Sequence, residues 1–304
     1  MTKCVGCGIK LQDKDKNEVG YTPDLKNELC ERCFKLKNYN VLTNKGISID
    51  NNKLINRINE LNAHVLFLVD FINLDSEVIE TYKKIKTSKV FIITKADIIP
   101  KNIKNQKLIK NIKDIYDIKE DIILTSSKTK LNIKTITKIC LEAKNICLAG
   151  FTNAGKSSLI NALVGSDITV SKKSNTTQDF IKLNVDDITI YDAPGFMSNI
   201  NRENIPKSII RPIVYQFPSK HYLLIKDIKL NLLENSNFTI YVGNEVNILR
   251  RKETNEVLCD IIVPKNSDVI IKGLGFISFK NTCMISLNTK DYEIRPSIVG
   301  DYND

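Results

Sequence analysis

No stretch of the sequence is apolar over the length that a bilayer-spanning helix needs, and Met1-Thr2-Lys3-Cys4 leads into polar residues rather than a secretory leader. The expectation is a cytoplasmic protein with no membrane partner. Histidine is nearly missing: His64 and His221 are the only two, and neither has a partner motif nearby, so each is read as structural rather than catalytic. Arginine is scarce, at 7 of the 45 basic residues. The net charge of +10 invites a nucleic-acid reading, because Lys and Arg neutralise phosphates and release counterions. The sequence is, however, rich in Lys, Ile and Asn together, the mix of an A+T-biased coding sequence, so charge alone weighs only modestly toward RNA. Internal repeats and low-complexity linkers are also missing. What remains, 42% hydrophobic and 26% charged over 304 residues, is ordinary for a globular chain long enough for two domains and a small appendage.

The chain is organised around Asn145 to Ser158. A short apolar run, Ile146 to Ala149, leads to Gly150, four residues, then Gly155-Lys156-Ser157, and a helical pattern follows with Leu159, Ile160 and Leu163. This is the full Walker A spacing in its strand–loop–helix context. Glycines let successive N–H groups of the loop, Ala154 and Ser158 included, turn toward a phosphate, and the helix N-terminus adds partial positive charge. Lys156 reaches the β- and γ-phosphates and Ser157 holds Mg²⁺.

Residues 1 to 40 read as a separate module. Cys4-Val5-Gly6-Cys7 and Cys30-Glu31-Arg32-Cys33 are separated by 22 residues, which is zinc-knuckle spacing that delivers four thiolates to one tetrahedral ion. A segment this poor in large apolar residues would take its folding energy from the metal. The alternatives are a disulfide pair, disfavoured in a reducing compartment, and chance. Cys140, Cys147, Cys259 and Cys283 stand alone in apolar contexts and read as buried small side chains.

From Asn52 the pattern is α/β. A helix ending near Leu61 leads to the buried strand His64 to Asp70, and a helix over Val78 to Lys86 to a second strand, Lys89 to Ile93, which delivers Thr94-Lys95-Ala96-Asp97. A lysine-rich helix follows, with Lys104, Lys107, Lys110 and Lys113 as a solvated face over Ile109, Ile112 and Ile115. A third strand, Asp121 to Thr125, delivers Ser126-Ser127-Lys128. After the phosphate loop come the polar segment Ser174 to Asp179 and a hairpin, Phe180–Val185 with Ile188–Asp192, ending in Asp192-Ala193-Pro194-Gly195. Beyond Asn199, alternating strands indicate a β-rich carboxyl-terminal domain.

These motifs select guanine. Asp97 can accept hydrogen bonds from the base N1–H and exocyclic amine, which only guanine offers together, with Lys95 along the base and backbone N–H of Ser126-Ser127-Lys128 facing O6. Asp192 reaches Mg²⁺ through water, and the Gly195 N–H senses the γ-phosphate. Thr177, or alternatively Thr176, completes the Mg²⁺ shell when GTP is bound. The order is unusual: the guanine motifs precede the phosphate loop. A parallel sheet binds ligand at the carboxyl ends of its strands whichever strand comes first, so a circular permutation leaves the site intact.

The Cys4-x-x-Cys7-Gly8 and Cys30-x-Arg32-Cys33-Phe34 segments, the permuted order and Gly273-Leu274-Gly275-Phe276-Ile277 resemble the YqeH family of circularly permuted GTPases over nearly the whole chain. The resemblance implies a GTPase in small-ribosomal-subunit assembly, with GTP/GDP, ribosomal RNA or ribosomal proteins as partners and a treble-clef-like zinc module. The expected fold class is α/β: a permuted P-loop GTPase domain (41–205) between the zinc module (1–40) and a β-rich RNA- or protein-contacting domain (206–304). Two departures stand out. Thr94 replaces the usual Asn of the guanine motif and cannot supply the same amide contacts between loops, which bears on affinity. Asn175 replaces the usual Gly before the two threonines.

Phe196 follows Gly195, where Ras-like enzymes orient water with a nearby Gln, and it cannot activate water. Asn153 matches the asparagine with which related GTPases hold K⁺ beside the phosphates, so slow, K⁺-stimulated turnover is expected; the plainer alternative is that Asn153 only suits a turn. Asp192-Ala193-Pro194-Gly195 feeds directly into the carboxyl-terminal domain, where Arg250-Arg251-Lys252 is either a nucleotide-dependent partner contact or a solvated turn. A scaffold that binds GTP with negligible hydrolysis is the competing reading. A small-molecule kinase fits none of the flanking motifs.

Overall fold

The computed structural model describes residues 3–5, 10–16, 20–31, 34, 50–164, 174–177, 180–185, 187–200, 202, 206–218, 221–252 and 261–300. They divide into two compact units: Met1–Asp70, Glu77–Ala96 and Glu120–Ser198 form the first, and Phe71–Ser76, Asp97–Lys119 and Asn199–Asp304 the second.

The first unit is built on unbroken apolar runs. In β1 (His64–Asp70) every residue after His64 is buried, and β2 (Lys89–Thr94) and β4 (Asn145–Gly150) are equally covered beyond their first residue, the pattern of strands enclosed on both faces. With β3 (Ile122–Leu124), β5 (Ser174–Thr177), β6 (Phe180–Val185) and β7 (Ile188–Asp192) they form a seven-stranded sheet in the order β3-β2-β1-β4-β7-β6-β5. Strands β3, β2, β1, β4 and β7 run parallel, and only the β7-β6-β5 edge is antiparallel. The hairpin closes in the register Val185↔Ile188, and its partner β5 extends through Thr177, within the polar segment read at Ser174 to Asp179.

Helix α1 (Asn51–Glu60) starts on Asp50, whose carboxylate accepts from the N–H groups of Asn52 (3.1 Å) and Lys53 (3.0 Å), and it buries Leu54, Ile55 and Ile58. Helix α2 spans Ser76–Lys84. Helix α4 (Ile133–Ala143) buries Ile133, Ile136 and Cys140, and α5 (Lys156–Val164) contributes Leu159, Ile160 and Leu163 to the same core, which continues through Leu66, Leu148 and Ile190. Burial pushes the Cys140 thiol up to about 12, and that of Cys147 up as well, so both are inert side chains of the core. Cys283 is likewise buried, and Cys259 lies outside the described residues.

The second unit holds two five-stranded antiparallel sheets, which share one apolar cluster containing Phe217, Leu223, Ile225, Phe238, Ile240, Val269, Ile277 and Phe279. The lysine-rich helix α3 (Asn105–Tyr116) belongs here, because its buried Asn111 donates to the carbonyls of Ile298 (3.1 Å) and Gly300 (3.0 Å). Two buried arginines fix the 71–76 segment within this unit. Arg202 pairs with Asp75 at 2.7 Å and donates to Asn73 O at 3.2 Å. Arg295 pairs with Asp268 at 3.3 Å and donates to Leu74 O and the Tyr116 hydroxyl.

Candidate nucleotide site

The phosphate loop lies between β4 and α5. Gly150 has φ +150°, and a Cβ there would stand 2.4 Å from the Leu68 carbonyl of the neighbouring strand, so no side chain fits. Asn153 and Gly155 adopt left-handed φ of +65° and +94°, which curl the backbone around the phosphate position. At Asn153 this conformation favours Asn over most residues, in line with the turn reading of that position. Lys156, the first residue of α5, is buried and donates to the carbonyls of Gly150 (2.8 Å) and Phe151 (3.2 Å). Those bonds use two of the three ammonium donors and hold the amine over the loop, with a third for an anion. Burial lowers its pKa to about 8, partly offset by Asp192.

Asp192 ends β7, pairs in register with Leu148 of the phosphate-loop strand and is buried. The Ala193 N–H bonds Leu148 O at 3.1 Å and the Phe196 N–H bonds Gly150 O at 3.2 Å, so the Asp-x-x-Gly element runs along the loop. Gly195 lies hard against it: a Cβ there would meet Thr152 Oγ1 at 2.8 Å and Thr152 N at 3.1 Å. The Phe196 ring is in the core, 5.6 Å from Phe151 and 6.1 Å from Phe67 between centroids, and is turned away from solvent.

The guanine motif is tied directly to the phosphate loop. Thr94 lacks the amide usual at this position, and its hydroxyl makes one contact between the loops: Oγ1 donates to Ala154 O at 2.7 Å; Val69 O lies at 3.2 Å, but a hydroxyl has one proton and the shorter bond takes it. Lys95, at φ +54°, bonds Asn153 O at 2.7 Å and pairs with the buried Asp70 at 3.1 Å. The Ala96 N–H reaches Thr125 O at 2.9 Å, joining this motif to the third loop. There Ser126 is buried and its Oγ accepts from Thr129 N, Ser127 is half-buried, and Lys128 is exposed. Asp97 sits half-buried in the short 3₁₀ turn Ala96–Ile98, the first residue of a segment counted with the second unit. Ser157 and Ser158 occupy the first turn of α5.

Thr177 ends β5, the edge strand of the sheet, with β6 and β7 between that strand and β4. The sequence also gave no sign of Asp70 as the partner of Lys95, because an acidic residue ending an apolar strand has many possible partners.

Of the four candidate zinc ligands, Cys4 and Cys30 are buried together, with the Cys30 N–H bonded to Cys4 Sγ at 3.2 Å. Cys7 and Cys33 lie outside the described residues, and among the described residues no group of three or more His, Cys, Asp or Glu gathers. Arg250-Arg251-Lys252 forms part of strand Ile248–Lys252, not a turn, and is exposed.

A family model described as RsgA GTPase matches residues 72–200, and one described as 50S ribosome-binding GTPase matches residues 145–260. The chain is 29% identical to the uncharacterized protein YqeH of Bacillus subtilis (strain 168), over 90% of this chain and 83% of that protein. YjeQ from Thermotoga maritima is similar at 24% identity and a TM-score of 0.34, over 46% of this chain; the chain spans about half of that structure, 52% of its length. The permuted motif order on this sheet, with the RsgA GTPase and YqeH matches, makes the chain similar to circularly permuted GTPases of the YqeH/RsgA type.

Proposed function

We propose that the chain is a GTP-hydrolysing switch in small-ribosomal-subunit assembly. The observation that carries the nucleotide part is the pair of bonds from Thr94 and Lys95 to the carbonyls of Ala154 and Asn153, which sets a guanine-reading loop on a phosphate-binding one. In the reaction, water adds to the γ-phosphorus and the β–γ bridging oxygen leaves with its electron pair on GDP. Lys156 and the amino end of α5 neutralise charge on the phosphates, and the Gly195 N–H meets a γ-oxygen. Mg²⁺ would be held by Ser157 and, through water, Asp192, with Thr177, or alternatively Thr176, as the proposed further ligand in the GTP-bound form; when bound, the ion would draw charge from the β- and γ-oxygens. Asp97 is the proposed selector of the base, with Ser126, Ser127 and Lys128 as proposed contacts to its O6.

Phe196 is in the core, so this position offers no side chain to orient water. That supports assistance from elsewhere, and K⁺ held at Asn153 is the proposed source; equal rates in K⁺ and Na⁺ at matched ionic strength would remove it. The same burial favours the second reading, a GTP-dependent scaffold with negligible turnover, which single-turnover hydrolysis in K⁺ separates from the first. Cys4, Cys7, Cys30 and Cys33 are proposed to hold zinc.

The ribosome as workplace rests on the family resemblance, on the name 50S ribosome-binding GTPase carried by one matching family, and on the net charge of +10. Arg250, Arg251 and Lys252 are a proposed contact with the particle in the cytoplasm. Gradient sedimentation of ribosomal particles with the protein tests this: the reading requires co-migration with small-subunit material under a GTP analogue and not under GDP. Co-migration with the large subunit, or with neither, contradicts it.

A further inference from the structure

In the first unit, the residues just past the Asp-x-x-Gly element are held by side chains far away in sequence. The Asn51 amide forms a closed pair of hydrogen bonds with the backbone of Met197: Nδ2 donates to Met197 O at 2.8 Å, and Met197 N donates to Oδ1 at 2.8 Å. Next to it, Ser198 Oγ donates to Glu77 Oε2 at 2.7 Å. The Met197 side chain is 48% exposed, so apolar packing does little to fix this residue. Two residues upstream is Gly195, set against Thr152 of the phosphate loop.

We propose that Asn51 is a positioning residue for nucleotide hydrolysis: by holding both backbone groups of Met197 it fixes the orientation of the Gly195 N–H toward a γ-phosphate. The inference rests on the GTPase reading above. The chemistry is specific to an amide. An aspartate can accept from Met197 N but sets a carboxylate against Met197 O, and alanine offers neither group. Asn51 can serve because its own backbone is already fixed. It is the first residue of α1, Asp50 caps that helix, and Leu54, Ile55 and Ile58 anchor it in the core. The amide is thus a rigid bracket, and Glu77, in the first turn of α2, is a second one.

The test uses the full chain, with binding of GDP and of a non-hydrolysable GTP analogue measured by fluorescence titration alongside single-turnover GTP hydrolysis. Asn51→Ala should leave GDP affinity within about twofold of the parent, because GDP has no γ-phosphate for Gly195 to meet. It should lower analogue affinity and hydrolysis rate by about threefold to tenfold, as expected for two solvent-edge hydrogen bonds. Asn51→Asp, which leaves the helix start and side-chain volume intact, should lose at least as much, and Asn51→Gln, which keeps the amide, should recover part of the loss. A parent that hydrolyses GTP while Asn51→Ala and Asn51→Asp match it overturns the proposal. A parallel fall in GDP and analogue affinity also overturns it, since that is the signature of a general brace. A parent that neither hydrolyses GTP nor distinguishes it from GDP overturns the GTPase reading itself.

Discussion

Thr94 offers the sharpest test of how the two nucleotide loops are joined. Thr94→Val keeps the shape of the side chain and removes only the hydroxyl. The Ala154 carbonyl then loses its 2.7 Å donor in a setting where Thr94 and Ala154 are each 4% exposed, so water does not replace it easily. A buried acceptor left without a donor costs about 1–3 kcal/mol. That cost falls on the ordered form of the loop, the form that binds phosphate, so GDP and GTP affinity should fall together by about fivefold to a hundredfold. Selectivity for guanine over hypoxanthine should hold, because it rests on Asp97. The assay is equilibrium titration with fluorescent GDP, with competition by inosine diphosphate. Unchanged affinity in a folded variant, or a lost base preference with intact affinity, would refute the reasoning.

Three further outcomes follow from the same geometry. Lys156 titrates at about 8 in the ligand-free loop, and a phosphate raises that value, so nucleotide affinity is full below pH 8 and declines above it; between pH 7 and 9 the loss should be about tenfold, and Lys156→Ala should lack this slope, as binding titrations across that range will show. Arg202→Ala removes the 2.7 Å ion-pair partner of Asp75, which is 1% exposed, and should destabilise the carboxyl-terminal unit by about 3–5 kcal/mol in circular-dichroism melts, whereas Arg202→Met with Asp75→Leu should recover most of it. Chelation or Cys4→Ser should release one zinc ion per chain and unfold the amino-terminal module while leaving GDP binding intact; protein that contains no zinc contradicts the metal assignment.

Much of the first unit was legible because its strands carry a simple signal. His64–Asp70 shows no alternation, as a strand covered on both faces does, and the runs Phe180–Val185 and Ile188–Asp192 marked the two arms of the β6–β7 hairpin. The motif spacing located the loops, since each sits at the end of such a strand. Periodicity reports that a face is buried but not what buries it. For this reason the apolar face of α3 read as part of the nucleotide domain, although the helix is counted with the second unit and its Asn111 bonds the carbonyls of Ile298 and Gly300. The polar ties were illegible for a related reason. Asn51–Met197, Lys95–Asp70 and Arg202–Asp75 join residues 146, 25 and 127 positions apart, and a single Asn or Asp has no pattern to announce its partner. The Thr94–Ala154 bond was illegible too, because a lone threonine hydroxyl announces no particular carbonyl.

The central claim is that this permuted chain reads guanine through Asp97 ahead of its phosphate loop. Its most direct test is the affinity of the parent and of Asp97→Asn for GDP and xanthosine diphosphate. A carboxylate accepts from the guanine N1–H and amine, whereas an amide presents a donor to the 2-oxo group of xanthine. The account predicts that the parent prefers GDP and that Asp97→Asn prefers xanthosine diphosphate. A folded Asp97→Asn that still prefers GDP as strongly as the parent would contradict it.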